Sequence, residues 1–121
     1  MNVLREVEKG VKRCNNLLNN DVENAKRYKM HYREDVDILI EANEKYMKSK
    51  VKELENWCEA SAAAYSLPQD NWFTRLKRNA IMAIANKKID KIELEICRSG
   101  IARDDLKKIK SRFDGFIYLS S

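Results

Sequence analysis

His31 is the only histidine in the 121-residue chain. A His-rich metal site is therefore impossible, and any Ser-His-Asp or Cys-His arrangement would have to use this one residue. It lies within Tyr28-Lys29-Met30-His31-Tyr32-Arg33. Cations flank it there, which suits a surface or core-edge histidine rather than a catalytic base. The three cysteines, Cys14, Cys58 and Cys97, are widely spaced and odd in number. No Cys-x-x-Cys pair occurs, so neither a zinc site nor a disulfide framework is indicated. They read as reduced thiols, and Cys14 falls on an apolar helical stripe that calls for burial. The carboxylate pairs Asp35 with Asp37 and Asp104 with Asp105 sit among basic residues, where solvated helix faces account for them. No Gly-rich phosphate loop, nucleophile elbow or zinc-protease motif is present. The expectation is a protein that is not an enzyme, with no metal, no cofactor and no small-molecule substrate.

The remaining chemistry is electrostatic. Lys plus Arg is 24 and Asp plus Glu is 19, a net charge of +5. Two basic clusters carry aromatic residues. The first is Lys26, Arg27, Lys29 and Arg33 with Tyr28 and Tyr32; Lys26, Lys29 and Arg33 share one face of a helix. The second is Arg75, Lys77 and Arg78, followed by Lys87, Lys88 and Lys91, with Trp72 and Phe73 nearby. Such cations can neutralise phosphates and release counterions. Aromatic rings can stack on bases where they are exposed. The competing reading is structural: the tyrosines lie on an apolar seam, and Trp72 with Phe73 begin an amphipathic helix and pack.

The elements that position these groups are mostly helical. Three glycines and one proline argue against many tight turns. Leu4, Val7, Val11, Cys14 and Leu18 are spaced 3, 4, 3, 4, a heptad seam that predicts a helix from Asn2 to about Leu18. The Asn-rich run that follows predicts a turn near residues 19 to 20, with Asn20 and Glu23 as a capping-box-like start. One continuous helix is the alternative there. No Gly or Pro then occurs from Asp21 to Ser66. The stripe passes through Val36 and Leu39 and resumes at Met47, Val51, Leu54, Cys58, Ser61 and Tyr65. The step from Leu39 to Met47 holds polar Asn43, which predicts a register slip or a bend. Unbroken, this helix would be about 68 Å long. It either breaks near Asn43 or buries its stripe against a second copy, with Val51 and Leu54 in a homodimer seam.

Pro68 stops the long helix, and Asp70 or Asn71 caps the next. Ile92, Leu94 and Ile96 alternate with glutamates and read as a half-buried strand; a helix ending at Ser99-Gly100 is the alternative. Ala102 to Phe113 reads as a helix, and Phe116 to Leu119 as a second strand. The fold class expected is mainly α. Residues 1–66 would form a helical hairpin or coiled-coil stalk. Residues 67–121 would form a small basic C-terminal cap, either α/β with short strands or all-α. No stretch reaches the roughly 20 apolar residues of a membrane helix. With neither a signal-peptide core nor a lipidation signal, a cytoplasmic protein without a membrane partner is expected.

The layout of long amino-terminal helices leading to Leu54-Glu55-Asn56-Trp57-Cys58-Glu59-Ala60, then strand, short helix and a final Phe-Ile strand, resembles the phage Gam-type host-nuclease inhibitors and related phage recombination accessory proteins. The resemblance rests on Trp57, Cys58, Glu59, Ala60, Phe116 and Ile117, and lacks that family's Trp-Arg strand with paired prolines. It implies a coiled-coil dimer that binds duplex DNA ends and shields them from nucleases.

Two functions follow as expectations. One is a DNA-binding accessory protein using Lys26, Lys29, Arg33, Arg75, Lys77, Arg78, Lys87 and Lys88 against phosphates. The alternative is a protein-binding inhibitor or adaptor of the anti-defence type that blocks a host protein through a helical surface. Its hot spots would lie at aromatic or arginine positions such as Trp72, Phe73, Tyr118 or Arg112.

Overall fold

A computed structural model describes residues 2–119. Four helices follow in order: α1 (Val3–Asn20), α2 (Val22–Arg27), α3 (Lys29–Tyr65) and α4 (Trp72–Leu119). The chain divides into two compact units, one of residues 1–47 with 98–121 and one of residues 48–97.

The first unit is a three-helix bundle. Asn2 caps α1, its side-chain oxygen accepting from the Arg5 amide at 3.2 Å. All five residues of the predicted seam, Leu4, Val7, Val11, Cys14 and Leu18, are buried. Val7, Val11, Cys14 and Leu18 pack with Ala25, with Val36 of α3, and with Ala102, Leu106, Ile109 and Phe113 of α4. α1 runs alongside α4 in the same direction, as the pairs Glu8 with Arg98 and Asn19 with Arg112 show. α3 runs against both. Gly10 lets α1 and α3 approach: a Cβ there would stand 2.6 Å from Leu39 Cδ1. The turn after α1 forms as expected, but Asp21 rather than Asn20 caps α2, accepting from the Asn24 amide at 3.3 Å.

The second unit is an antiparallel helical hairpin. Its α3 part turns Lys50, Leu54, Trp57, Ser61 and Ala64 inward, and its α4 part turns in Met82, Ala85, Ile89, Ile92 and Ile96. Ala64, Ala85 and Ile92 are fully buried. Both series keep 3–4 spacing, the periodicity of an antiparallel coiled coil. Lys50 pairs across the hairpin with Glu95 at 3.5 Å. The helix before Pro68 ends at Tyr65. Asn71 caps α4 reciprocally with Thr74: its side chain accepts from the Thr74 amide at 2.9 Å, and its own amide donates to Thr74 Oγ1 at 3.4 Å.

Three expectations are corrected. Neither expected strand forms; α4 runs without a break from Trp72 to Leu119, so the C-terminal part is all-α. Ile89, Ile92 and Ile96 take the helical alternative because their 3–4 spacing gives one inward stripe. Leu94, which completed the alternation, is 62% exposed. Gly100 and Gly115 stay inside α4, since no glycine has positive φ. The long helix does not break at Asn43. The interruption lies at Tyr28, between α2 and α3. Asn43 is a buried seam residue, and α3 continues through it.

Candidate functional site

The first basic cluster is engaged within the three-helix bundle. Arg33 Nε meets Asp114 at 2.7 Å and its NH1 meets Asp37 at 2.5 Å, with 18% of the side chain exposed. The hydrogen bonds it donates to Asp114 and then to Asp37 raise the guanidinium above its ordinary range. Lys29 Nζ donates to the Phe116 carbonyl at 3.5 Å. Lys26 Nζ stands 5.6 Å from the centre of the Phe116 ring. These three cations therefore clamp α2 and the start of α3 to the end of α4. Tyr32 is half-buried against Phe113, ring centres 5.9 Å apart, whereas Tyr28 is half exposed. His31 is exposed beside Asp35 at 3.7 Å.

The second cluster lies in the hairpin unit. The expectation that Trp72 and Phe73 pack is overturned: each is 67% exposed. They form an edge-on pair with ring centres 6.1 Å apart at the first turn of α4. Tyr65, across the hairpin turn, is also 67% exposed, and the Arg78 guanidinium stacks over its ring at 4.7 Å. Arg75, Lys77, Lys87, Lys88 and Lys91 are exposed. At about 100° per residue, Lys77, Lys87, Lys88 and Lys91 fall within an arc of about 100° on α4, along roughly 21 Å of helix. Aromatic tip and lysine row thus share one helix.

Val51 and Leu54 part company. Leu54 is half-buried against α4 in the hairpin, while Val51 stays 39% exposed at its edge. The seam that the sequence assigns to a second copy is occupied within the chain, with Lys50, Trp57 and Ala64 in the places given to Val51, Cys58 and Tyr65. A one-position rotation of the stripe separates the two readings.

Sequence reasoning passed over Arg103, Lys107, Lys108 and Lys110, which add cations to the last part of α4. The run Lys107-Lys108-Ile109-Lys110 was the available signal. Arg103, Lys107 and Lys108 are exposed. Two open grooves flank α1. One, of about 300 Å³, lies between α1 and α4 beside Glu8 and Arg98; the other, of about 340 Å³, lies between α1 and α3 beside Gly10 and Leu39. Among the described residues, no group of three or more His, Cys, Asp or Glu side chains could hold a metal ion. No helix among them is long and apolar enough to cross a membrane.

No family model, curated protein or solved structure matches the chain. Its function is therefore read from its surfaces.

Proposed function

We propose that the chain is a non-enzymatic accessory protein of the phage or mobile-element type that binds DNA, shielding duplex ends from host nucleases. The observation that carries this reading is the hairpin tip: Trp72 and Phe73 stand exposed beside Arg75, at the head of the lysine row on α4. Lys77, Lys88 and Lys91 would meet phosphates. Each contact would add about 0.9 to the slope of log affinity against log salt. An exposed indole or phenyl ring can stack on a terminal base pair, which only a DNA end offers. Stacking of this kind contributes about 1–3 kcal/mol per base. An occupied end excludes an exonuclease without any covalent step.

The test is fluorescence anisotropy with a labelled short duplex at low and physiological salt, with covalently closed circular DNA as competitor. The proposal expects salt-sensitive binding that the circle competes poorly. It expects K77E/K88E to weaken binding to duplexes of any form, and W72A/F73A to remove the preference for ends. Equal competition by the circle would refute end recognition, and absence of binding at low salt would refute the DNA reading.

A second reading has one observation in its favour. Exposed aromatic residues beside arginines are the residue types that dominate protein interfaces. A protein-binding inhibitor or adaptor would use Trp72 and Phe73 against a host protein. A stoichiometric protein partner that resists nuclease treatment and is lost in W72A/F73A would favour it over DNA.

A further inference from the structure

Within the hairpin unit, α4 carries a second heptad series on the side turned away from α3. Its members are Ala80, Ala83, Lys87, Asp90, Leu94 and Cys97, spaced 3, 4, 3, 4, 3. All six are exposed. Ile84, 55% exposed, borders the series. The inner stripe of Met82, Ala85, Ile89, Ile92 and Ile96 is already covered by α3. A helix with two opposed heptad seams is built to pack on both sides.

The order of residues says what the outer side fits. In an antiparallel helix pair centred between Lys88 and Ile89, Lys87 of each copy faces Asp90 of the other. Ala83 then faces Leu94, and Ala80 faces Cys97. Ala83 opposes the larger Leu94 and Ala80 opposes the small Cys97, so the two helices can approach closely on either side of the charged pairs. The one charged pair is complementary, and it occurs twice by symmetry. A parallel pair would set Lys87 on Lys87 and Asp90 on Asp90, which is repulsive.

We propose that this outer side of α4 binds the same side of a second copy of the chain, antiparallel, with the two Lys87–Asp90 pairs fixing the register. The homodimer is thus made by α4, while the Leu54 seam serves the fold of each copy. The inference does not depend on DNA binding, because Lys77, Lys88 and Arg75 lie beside the seam rather than in it.

Two measurements test it. In a Cys58→Ser background, A80C should give a disulfide-linked dimer through Cys97 on mild oxidation. The same background without A80C should not, since antiparallel pairing holds the two Cys97 thiols about 25 Å apart along the helix. Rapid Cys97-to-Cys97 linkage without A80C, or no linkage with it, would overturn the proposal. In multi-angle light scattering, K87D and D90K should each weaken the dimer at least tenfold, and the double variant K87D/D90K should restore it. All these positions are exposed, so circular dichroism should report unchanged helix. A full-length chain that stays monomeric at about 100 μM, or a double variant no better than either single one, would refute the pairing. DNA affinity measured on K77E/K88E reports on the separate reading.

Discussion

Asn43 of α3 and Ser99 of α4 exchange two hydrogen bonds inside the three-helix bundle. Asn43 Nδ2 donates to the Ser99 carbonyl at 3.0 Å, and Ser99 Oγ donates to Asn43 Oδ1 at 2.7 Å. Both residues are almost completely buried, at 2% and 0% exposure. This polar pair lets α3 carry an asparagine on its buried face, and only one pairing of α3 with α4 satisfies it. Ser99→Ala removes the donor to a buried amide oxygen and should destabilise the fold by about 1–3 kcal/mol. Adding Asn43→Leu should recover much of that loss, because no buried polar group is then left alone. Urea denaturation of the two single variants and the double variant measures the coupling. Strictly additive losses would mean that the pair does not act as a unit.

Arg33 holds Asp114 and Asp37 with different nitrogens of one planar group. A lysine amine cannot reproduce that fork. Arg33→Lys should therefore destabilise the bundle by about 1–2 kcal/mol, more than an exposed ion pair contributes. The guanidinium sits above its ordinary range. Its contribution is fully present at lower pH and is lost only as pH rises through that raised value. Urea midpoints at pH 7 and pH 9 should accordingly show the same difference between Arg33→Lys and the parent.

Cys14 is buried, and burial first, then the Asp35 charge, pushes its thiol pKa up. Cys58 is exposed. At pH 8, Ellman's reagent should label Cys58 within minutes and reach Cys14 only in denaturant, with mass mapping to assign the sites. The raised folded value has a stability consequence. Cys14 contributes fully below the ordinary thiol pKa, and that contribution is lost as pH rises through the raised one. Cys14→Ala should flatten the alkaline fall in stability. Fast native labelling of Cys14 would contradict its burial.

Gly10 separates two effects. Alanine is the better helix former by about 1 kcal/mol. Its Cβ would meet the ends of the half-buried Leu39 side chain, which can move aside. Gly10→Ala should therefore be close to neutral in thermal denaturation. Gly10→Val adds branches that Leu39 cannot clear and should cost about 1–3 kcal/mol. A neutral valine variant would show that α1 and α3 do not need this close approach.

How much of this was legible in the residues differs from helix to helix. The 3–4 spacing of Leu4 to Leu18 marked α1 and its buried side correctly, because a lone amphipathic stripe has one face to hide. Pro68 marked the hairpin turn, because proline removes a backbone donor and clashes with the preceding turn. Cys14 was placed in the core by the same stripe. Local patterns misled where two stripes share one helix. Ile92, Leu94 and Ile96 look like an alternating strand because Ile92 and Ile96 belong to the inner side of α4 and Leu94 to the outer. Val51, Cys58 and Tyr65 are spaced like a seam, but they lie one position off the residues that face α4. Among the candidate site residues, the composition of each basic cluster was evident and its availability was not. Arg33 meets carboxylates drawn in part from a helix 81 residues away in sequence. Trp72 and Phe73 pair with each other and stay mostly exposed. The sequence alone determined a mainly helical chain, the first helix and the turn at Pro68, all local consequences of periodicity and backbone chemistry. Only tertiary structure decided which stripe each long helix buries and which cations remain on the surface, because those depend on partners that are distant along the chain.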